Sequence, residues 1–436
     1  MTTYRDNAAH AAGKLSLAEI LELFTAGGNL PLKFTAYDGS VAGPDDAELG
    51  LGLLTPRGTT YLATAPGDLG LARAYVAGDL EMLGVHPGDP YELLRALSHN
   101  LDFKLPPART LVDIVRSIGI EHLRPIAPPP QEALPRWRRF AEGLRHSKKR
   151  DADAIHHHYD VSNTFYEWVL GPSMTYTCAC YPSADATLEE AQENKYRLVF
   201  EKLRLKPGDR LLDVGCGWGG MVRYAARHGV KAIGVTLSRE QAAWAQKAIA
   251  EQGLAELAEV RYTDYRDVLE SGFDAVSSIG LTEHIGVDNY PAYFDFLKTK
   301  LRVGGLLLNH CITRPDNRAT TTGGFIDRYV FPDGELIGAG RIISEAQDAG
   351  LEVVHEENLR HHYALTLRDW CRNLVEHWDE AVEEVGLATA KVWGVYMAGS
   401  RVGFETNVVQ LHQILAVKLD EKGGDAGLPL RPWWNA

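Results

Sequence analysis

Cysteine is scarce in this chain. There are five in 436 residues, at positions 178, 180, 216, 311 and 371, with no disulfide-scaffold pattern. That argues against a stapled extracellular domain and fits a reducing cytoplasm. Cys178 and Cys180 form a C-x-C with no second pair to complete a structural zinc site. No apolar run approaches the roughly 20 residues a spanning helix needs, and residues 1–14 lack the apolar core of a secretory signal. Basic charge is also short, 45 Lys and Arg against 58 Asp and Glu, for a net charge of −13. Residues 1–150 are balanced, so the acidic excess lies wholly in 151–436. Such a surface argues against nucleic-acid binding and makes any local basic cluster informative. Apolar content of 45% and charged content of 24% are ordinary for a globular protein, and the length allows two domains.

What the chain does have is glycine in one telling place. Residues 210–221 read R-L-L-D-V-G-C-G-W-G-G-M: a short apolar run, Asp213, then glycines at 215, 217, 219 and 220. A helical pattern follows over 221–228. Strand, glycine turn and helix form the element by which an α/β sheet presents a nucleotide-like ligand at a strand's carboxyl edge. Glycine bends sharply there and lets the ligand approach backbone without a Cβ between them. The spacing is not G-x-G-x-x-G, and the phosphate-loop lysine is missing. The next strand, 231–235, ends in Thr236-Leu237-Ser238 instead of an acid that would grip a ribose diol.

V-G-C-G-W-G-G, with G-V-T-L-S-R-E-Q from Gly234, resembles the S-adenosylmethionine-dependent methyltransferases, and within them the cyclopropane fatty acid synthase branch. The resemblance implies a Rossmann-like class I α/β catalytic domain, expected over 151–436. Its helix and strand patterns alternate from residue 189 onward, as a parallel sheet with helices on both faces requires. A smaller α+β amino-terminal domain is expected over 1–123, with a helix at 15–24, strands at 32–37, 51–54 and 59–63, and helices at 66–75 and 91–98. L-G-L-A-R-A-Y-V-A-G-D-L from Leu69 resembles the accessory domain of the family's longer members.

A linker is expected over 124–150. Its first part holds Pro125, Pro128, Pro129, Pro130 and Pro135, and is extended. From 136 to 150 seven basic residues stand against one acid, Glu142, while Trp137, Phe140 and Leu144 recur at helical spacing. One reading is an amphipathic segment lying on an anionic phospholipid bilayer. The other is a solvated linker that packs Trp137 against its own protein. His156, His157 and His158 cannot all face one metal from a regular element, so no metal is expected. The longer string H-H-Y-D-V-S-N-T-F-Y-E-W-V-L-G-P-S-M-T-Y-T-C-A-C-Y resembles the family's segment capping the cofactor site, with Cys180 where an aromatic is usual.

S-adenosylmethionine presents a sulfonium, a ribose, an adenine and an amino acid end. The expected contacts are Tyr176, Thr177, Asp213, Gly215, Gly217, Thr236, Gln241, Asp264 and Tyr265, the last against the adenine as the resemblance implies. S-S-I-G-L-T-E-H-I-G from Ser277 and L-L-L-N-H-C-I-T from Leu306 resemble the family's E-H-x-G and L-H-x-I motifs. By that resemblance a bicarbonate ion is held by Glu283, His310 and Tyr396, with backbone near Cys178 and Ile312. Leu281-Thr282 and Cys311 depart from the family pattern, which leaves the product open between a cyclopropane and a 10-methylene branch. The implied reaction transfers a one-carbon unit to the cis double bond of a phospholipid acyl chain. The resulting carbocation would be shielded by aromatic faces and deprotonated by the bound ion. The expected location is cytoplasmic, at the inner face of the membrane, with a homo-oligomer left open. Two rivals stand beside this: a methyltransferase acting on a headgroup or small nucleophile, and a non-catalytic lipid-binding protein that keeps the fold.

Overall fold

The computed structural model describes residues 14–25, 30–100, 104–133, 162–318, 320–332, 334–424 and 426–434. They fall into two compact units, Met1–Pro130 and Gln131–Ala436. The expected basic amphipathic stretch, the three consecutive histidines and the H-Y-D string lie outside the described residues.

The first unit is α+β. Strands β1 (Lys33–Ala36), β2 (Val41–Ala42), β3 (Gly50–Leu53) and β4 (Leu80–Leu83) form one sheet in the order β2-β1-β3-β4. Only β1 and β3 run parallel. Around them stand α1 (Leu17–Phe24), α2 (Pro56–Thr64), α3 (Asp68–Val76), α4 (Tyr91–Asn100) and α5 (Ala108–Ile118). Helix α2 corrects the sequence reading, in which 59–63 is a strand and Pro56-Arg57-Gly58 a turn. Proline is tolerated in the first helical turn, and Thr55 caps that turn by accepting from the Gly58 backbone. The start is fixed further by buried Asp79, which accepts from Thr55 Oγ1 and Arg57 Nε, each at 2.6 Å. These tertiary bonds outweigh the strand preference of Thr59 and Thr60.

The unit boundary also differs from the expected linker limits. It falls after Pro130, and Glu132 is a buried member of the second unit, paired with Arg328.

The second unit is a three-layer α/β structure. Its sheet comprises β5 (Arg210–Val214), β6 (Lys231–Thr236), β7 (Ala258–Tyr262), β8 (Phe273–Ile279), β9 (Leu301–Thr313), β12 (Glu352–Asn358) and β13 (Gln410–Val417). The order is β12-β13-β9-β8-β5-β6-β7, with β13 antiparallel to both neighbours. A short hairpin, β10 (Thr320–Thr321) with β11 (Glu335–Leu336), stands apart. The helices are α6 (Asn163–Leu170), α7 (Leu188–Lys202), α8 (Gly220–Arg227), α9 (Arg239–Glu251), α10 (Thr282–Ile285), α11 (Tyr290–Lys300), α12 (Ala339–Asp348), α13 (Arg360–Glu376), α14 (Trp378–Val385) and α15 (Leu387–Glu405).

Side-chain alternation along the strands divides the core in two. Leu308 and Leu415 pack with α7, α8 and α9, whereas Leu307, Ile414 and Ala416 pack with α11 and α12. Sheet growth proceeds outward in both directions from β5 and β8, which are parallel neighbours. A crevice opens at the carboxyl ends of two such strands because their following connections leave to opposite sides.

Candidate active site

Three positive φ values shape the turn after β5: 76° at Gly215, 53° at Gly217 and 71° at Gly219. Gly215 and Cys216 both donate backbone N–H to the Val235 carbonyl at 2.9 Å, which ties the turn to β6. A Cβ at Gly215 would sit 3.0 Å from the Leu281 side chain. The cavity above the turn is lined by Tyr176, Thr177, Lys195, Asp213, Gly215, Gly217 and Gln241, among others. Six of the nine expected cofactor residues therefore meet in one place. Thr236 stands next to them and donates to Gln241 Oε1 at 2.8 Å.

The other two expected cofactor residues, Asp264 and Tyr265, lie past the end of β7 and do not line this cavity. Both Asp264 oxygens are engaged by Arg266, at 2.7 Å and 2.6 Å, and Tyr265 packs edge-on against Tyr293 and Phe296.

Two buried ionisable groups face the cavity. Asp213 accepts from Ser277 Oγ at 2.6 Å, and burial raises its carboxyl to about 6. Lys195, absent from the sequence reading, donates to Thr177 Oγ1 at 2.8 Å, and burial lowers its ammonium to about 7. An acid at one point and an amine at another match the zwitterionic amino acid end of S-adenosylmethionine. The open backbone at Gly215 and Gly217 matches a ligand that must come close. The residues present thus fit this co-substrate.

Gly280, immediately after β8, connects this cavity to the next group of residues. Its φ of 73° brings a would-be Cβ within 2.8 Å of Thr177 Cγ2 and 4.0 Å of Glu283 Oε1. Its N–H donates to the His310 carbonyl at 2.8 Å. Glu283 is buried on the short helix α10 and accepts from the backbone of Ile312. Burial raises its carboxyl to about 7. His310 lies on β9 in register with Ile279, and burial together with Lys195 and Lys202 drives its imidazole well below its ordinary range. Glu283 Oε2 and His310 Nε2 are both buried without a hydrogen-bond partner. A buried polar atom without a partner costs about 1–3 kcal/mol, so two of them, on residues that both adjoin Gly280, mark a place built for a polar ligand.

Tyr396 on α15 accepts from Tyr176 Oη at 3.1 Å, which leaves its own hydroxyl proton available. The ring of Tyr176 stacks on Trp370 at 5.3 Å and meets Tyr166 and Trp393 at 5.8 Å. Phe331 lies 5.8 Å from Tyr396 and 5.2 Å from His284. Aromatic rings from α6, α13, α15 and the segment after Val330 thus converge beside the cavity. Cys178 is fully buried, with its thiol donating to the Ala179 carbonyl at 3.1 Å, and burial pushes that thiol up. From the sequence, the segments from Phe325 and from Trp370 to Val385 are expected either to cover the site or to be plain core packing, while Lys195, Gly280, Trp393 and Gln413, a neighbour of His310, were missed. A lysine and a glutamine inside core patterns were the only traces in the sequence.

Numbered within itself, the sheet order is 3-2-1-4-5-7-6 with the seventh strand antiparallel. With the glycine-turn cavity at its switch point, this arrangement defines a class I S-adenosylmethionine-dependent methyltransferase. Residues 146–414 match the family described as mycolic acid cyclopropane synthetase. Over 424 residues the chain is 75% identical to a probable fatty acid methyltransferase of Mycobacterium tuberculosis, covering 97% of this chain and 99% of that one. It is 34% identical over 278 residues to the cyclopropane-fatty-acyl-phospholipid synthase of Escherichia coli, covering 64% and 71% of the two chains. The mycolic acid cyclopropane synthase CmaA1, solved with SAH and CTAB, superposes with a TM-score of 0.57 at 30% identity, over 61% of this chain and 98% of that one. The chain belongs to the cyclopropane synthetase family and is a methyltransferase that acts on fatty acids or lipids.

Proposed function

We propose that this enzyme transfers a one-carbon unit to the cis double bond of an unsaturated acyl chain carried on a phospholipid. The observation that carries the reading is the unpartnered pair, Glu283 Oε2 and His310 Nε2, beside an aromatic enclosure and next to the cofactor cavity. The names of the fatty acid and fatty-acyl-phospholipid relatives support the substrate class.

The bound co-substrate supplies an electrophilic methyl. Its sulfur keeps the bonding electrons when the alkene π pair forms the new carbon–carbon bond, and the neighbouring acyl carbon becomes cationic. Rings of Tyr166, Tyr176, Phe331, Trp370 and Trp393 exclude water and present π faces to that charge. Loss of a proton from the added methyl closes a cyclopropane. A hydride shift followed by loss of a methyl proton gives a methylene branch.

Glu283, His310 and Tyr396, with backbone near Ile312 and Cys178, would hold bicarbonate, which supplies the proton acceptor. The fit is chemical: an acceptor oxygen at Glu283, a ring nitrogen at His310 and an available hydroxyl at Tyr396. These residues position the acceptor where the proton leaves.

The reading also places the enzyme in the cytoplasm at the inner face of the membrane, with the amino-terminal unit as an accessory. Among the described residues no helix is long and apolar enough to cross a membrane. Ile120 is 73% exposed and Leu105 81%, with Val112 and Leu123 exposed as well, which suits contact with lipid. The test is incubation with S-adenosylmethionine and oleoyl phospholipid vesicles. A lipid mass gain of one methylene unit with SAH release is expected, and olefinic protons in the product distinguish a methylene branch from a ring. Methylation of free amines without lipid change would favour the headgroup or small-nucleophile reading. Failure to bind S-adenosylmethionine would favour a non-catalytic lipid-binding protein.

A further inference from the structure

A row of polar residues crosses three adjacent strands. Glu357 on β12, Gln413 on β13 and His310 on β9 are direct register partners. Lys202, at the end of α7, reaches onto the same face with a fully buried side chain. Its ammonium pairs with Glu357 and donates to Gln413 Oε1 at 2.6 Å. Gln413 Nε2 lies 3.2 Å from His310 Nδ1. The Lys202 ammonium also lies over the Trp434 ring, 5.3 Å from its centroid.

The donor inventory permits one assignment. An ammonium has three donors and no acceptor, so the Gln413 atom facing Lys202 must be the carbonyl oxygen. The atom facing His310 is then the NH₂ group, which only donates. His310 Nδ1 must accept, and the ring proton of the neutral imidazole must sit on Nε2. That is the nitrogen left buried and unpartnered.

We propose that Gln413, its amide oriented by Lys202 and Glu357, is a positioning residue that holds His310 as the Nε2–H tautomer, a fixed hydrogen-bond donor into the active site. His310 then cannot take the proton lost by the substrate, because its inward nitrogen already carries one and its outward lone pair is occupied. It orients an acceptor instead. The proposal rests on the reading of His310 as part of the anion-holding group. It assigns function to three residues, Lys202, Gln413 and Glu357, that lie outside the cofactor cavity.

The test is ¹⁵N NMR of the full-length enzyme labelled on its histidines, with His310 assigned by comparison with His310→Asn. The wild-type spectrum is expected to show a bare Nδ1 and a protonated Nε2. A protonated Nδ1 with bare Nε2 in the wild type overturns the proposal, whatever any variant does. Gln413→Glu is the near-isosteric reversal: its carboxylate still pairs with Lys202 but now accepts from the ring, so Nδ1 should become protonated. Turnover should fall on the order of 10²–10⁴-fold, the scale of a misplaced or wrongly protonated catalytic imidazole. S-adenosylmethionine affinity by calorimetry should stay within a few-fold, which shows that the cavity is intact. An unchanged ring pattern in Gln413→Glu also overturns the proposal. Bicarbonate depletion separates this inference from the functional reading. A correct wild-type tautomer with no bicarbonate effect removes the anion and leaves the tautomer assignment standing.

Discussion

The Tyr176 hydroxyl donates to the Tyr396 hydroxyl at 3.1 Å, joining a residue of the cofactor cavity to one 220 positions later on α15. This bond fixes Tyr396 as an acceptor on one side and frees its proton for the other. Tyr176→Phe should therefore lower turnover by about tenfold, in keeping with the loss of roughly 1–1.5 kcal/mol of hydrogen bonding. S-adenosylmethionine affinity should hold, since the ring and its stacking on Trp370 remain. Steady-state kinetics beside calorimetry check the split. Equal losses in both would assign the tyrosine to binding alone.

Gly215→Val should abolish S-adenosylmethionine binding. The φ of 76° disfavours any side chain, and the new Cβ meets Leu281 at 3.0 Å while filling the approach. Calorimetry on protein with a normal circular dichroism spectrum is the measurement. Retained affinity in such protein would remove the glycine turn from the cofactor site.

Lys195→Met should weaken S-adenosylmethionine binding at neutral pH while leaving the stacked core unchanged. A buried amine lowered to about 7 is largely neutral above that pH, so wild-type affinity should decline as pH rises through 7 if the carboxylate end meets the ammonium. The variant should lose that pH slope. Calorimetric titration from pH 6 to 9 reads both effects, and a slope that persists in Lys195→Met would point to another group.

Glu283 carries a signed stability prediction. Its folded carboxyl is raised to about 7 by burial, above the ordinary 4.5. The unfolded chain therefore loses this proton first, and stability falls as pH climbs from about 4.5 to 7, then levels. Glu283→Gln should melt above wild type at pH 8, by about 1–3 kcal/mol, and equal to it near pH 4.5. The same variant should lose about 10²–10⁴-fold in turnover. A melting difference of the opposite pH dependence would refute the burial account.

The proposed lipid docking would have two separable parts. Reversing Arg138, Arg139, Lys148 and Lys149 to Glu should weaken sedimentation with anionic vesicles, with added salt giving the same defect in wild type. Ile120→Glu with Leu123→Glu should weaken binding to neutral vesicles as well, because lost apolar insertion is not screened. Turnover on detergent-dispersed lipid should survive both. If only the second pair matters, the basic stretch is a solvated linker and the amino-terminal unit makes the contact.

The sequence by itself determined the catalytic sheet's identity. The apolar run into Asp213 and the spaced glycines leave few backbone solutions, and the strand–helix alternation from residue 189 admits only a wound α/β sheet. It also offered Glu283 and His310, through motifs that resemble the family's; the structure puts Glu283 just past the end of β8 and His310 inside β9, paired with Ile279. Helix α2 was not legible, since Thr59 and Thr60 favour strands locally and the deciding bonds come from Asp79, 24 residues from Thr55 and 22 from Arg57. The proton on His310 was equally hidden. Lys202, Glu357 and Gln413 are separated by up to 211 positions and read singly as a helix end and two strand residues. Only the pairing of β12, β13 and β9 sets them in one row, and only within a row does the fixed donor character of an ammonium dictate the orientation of an amide and the tautomer of a ring.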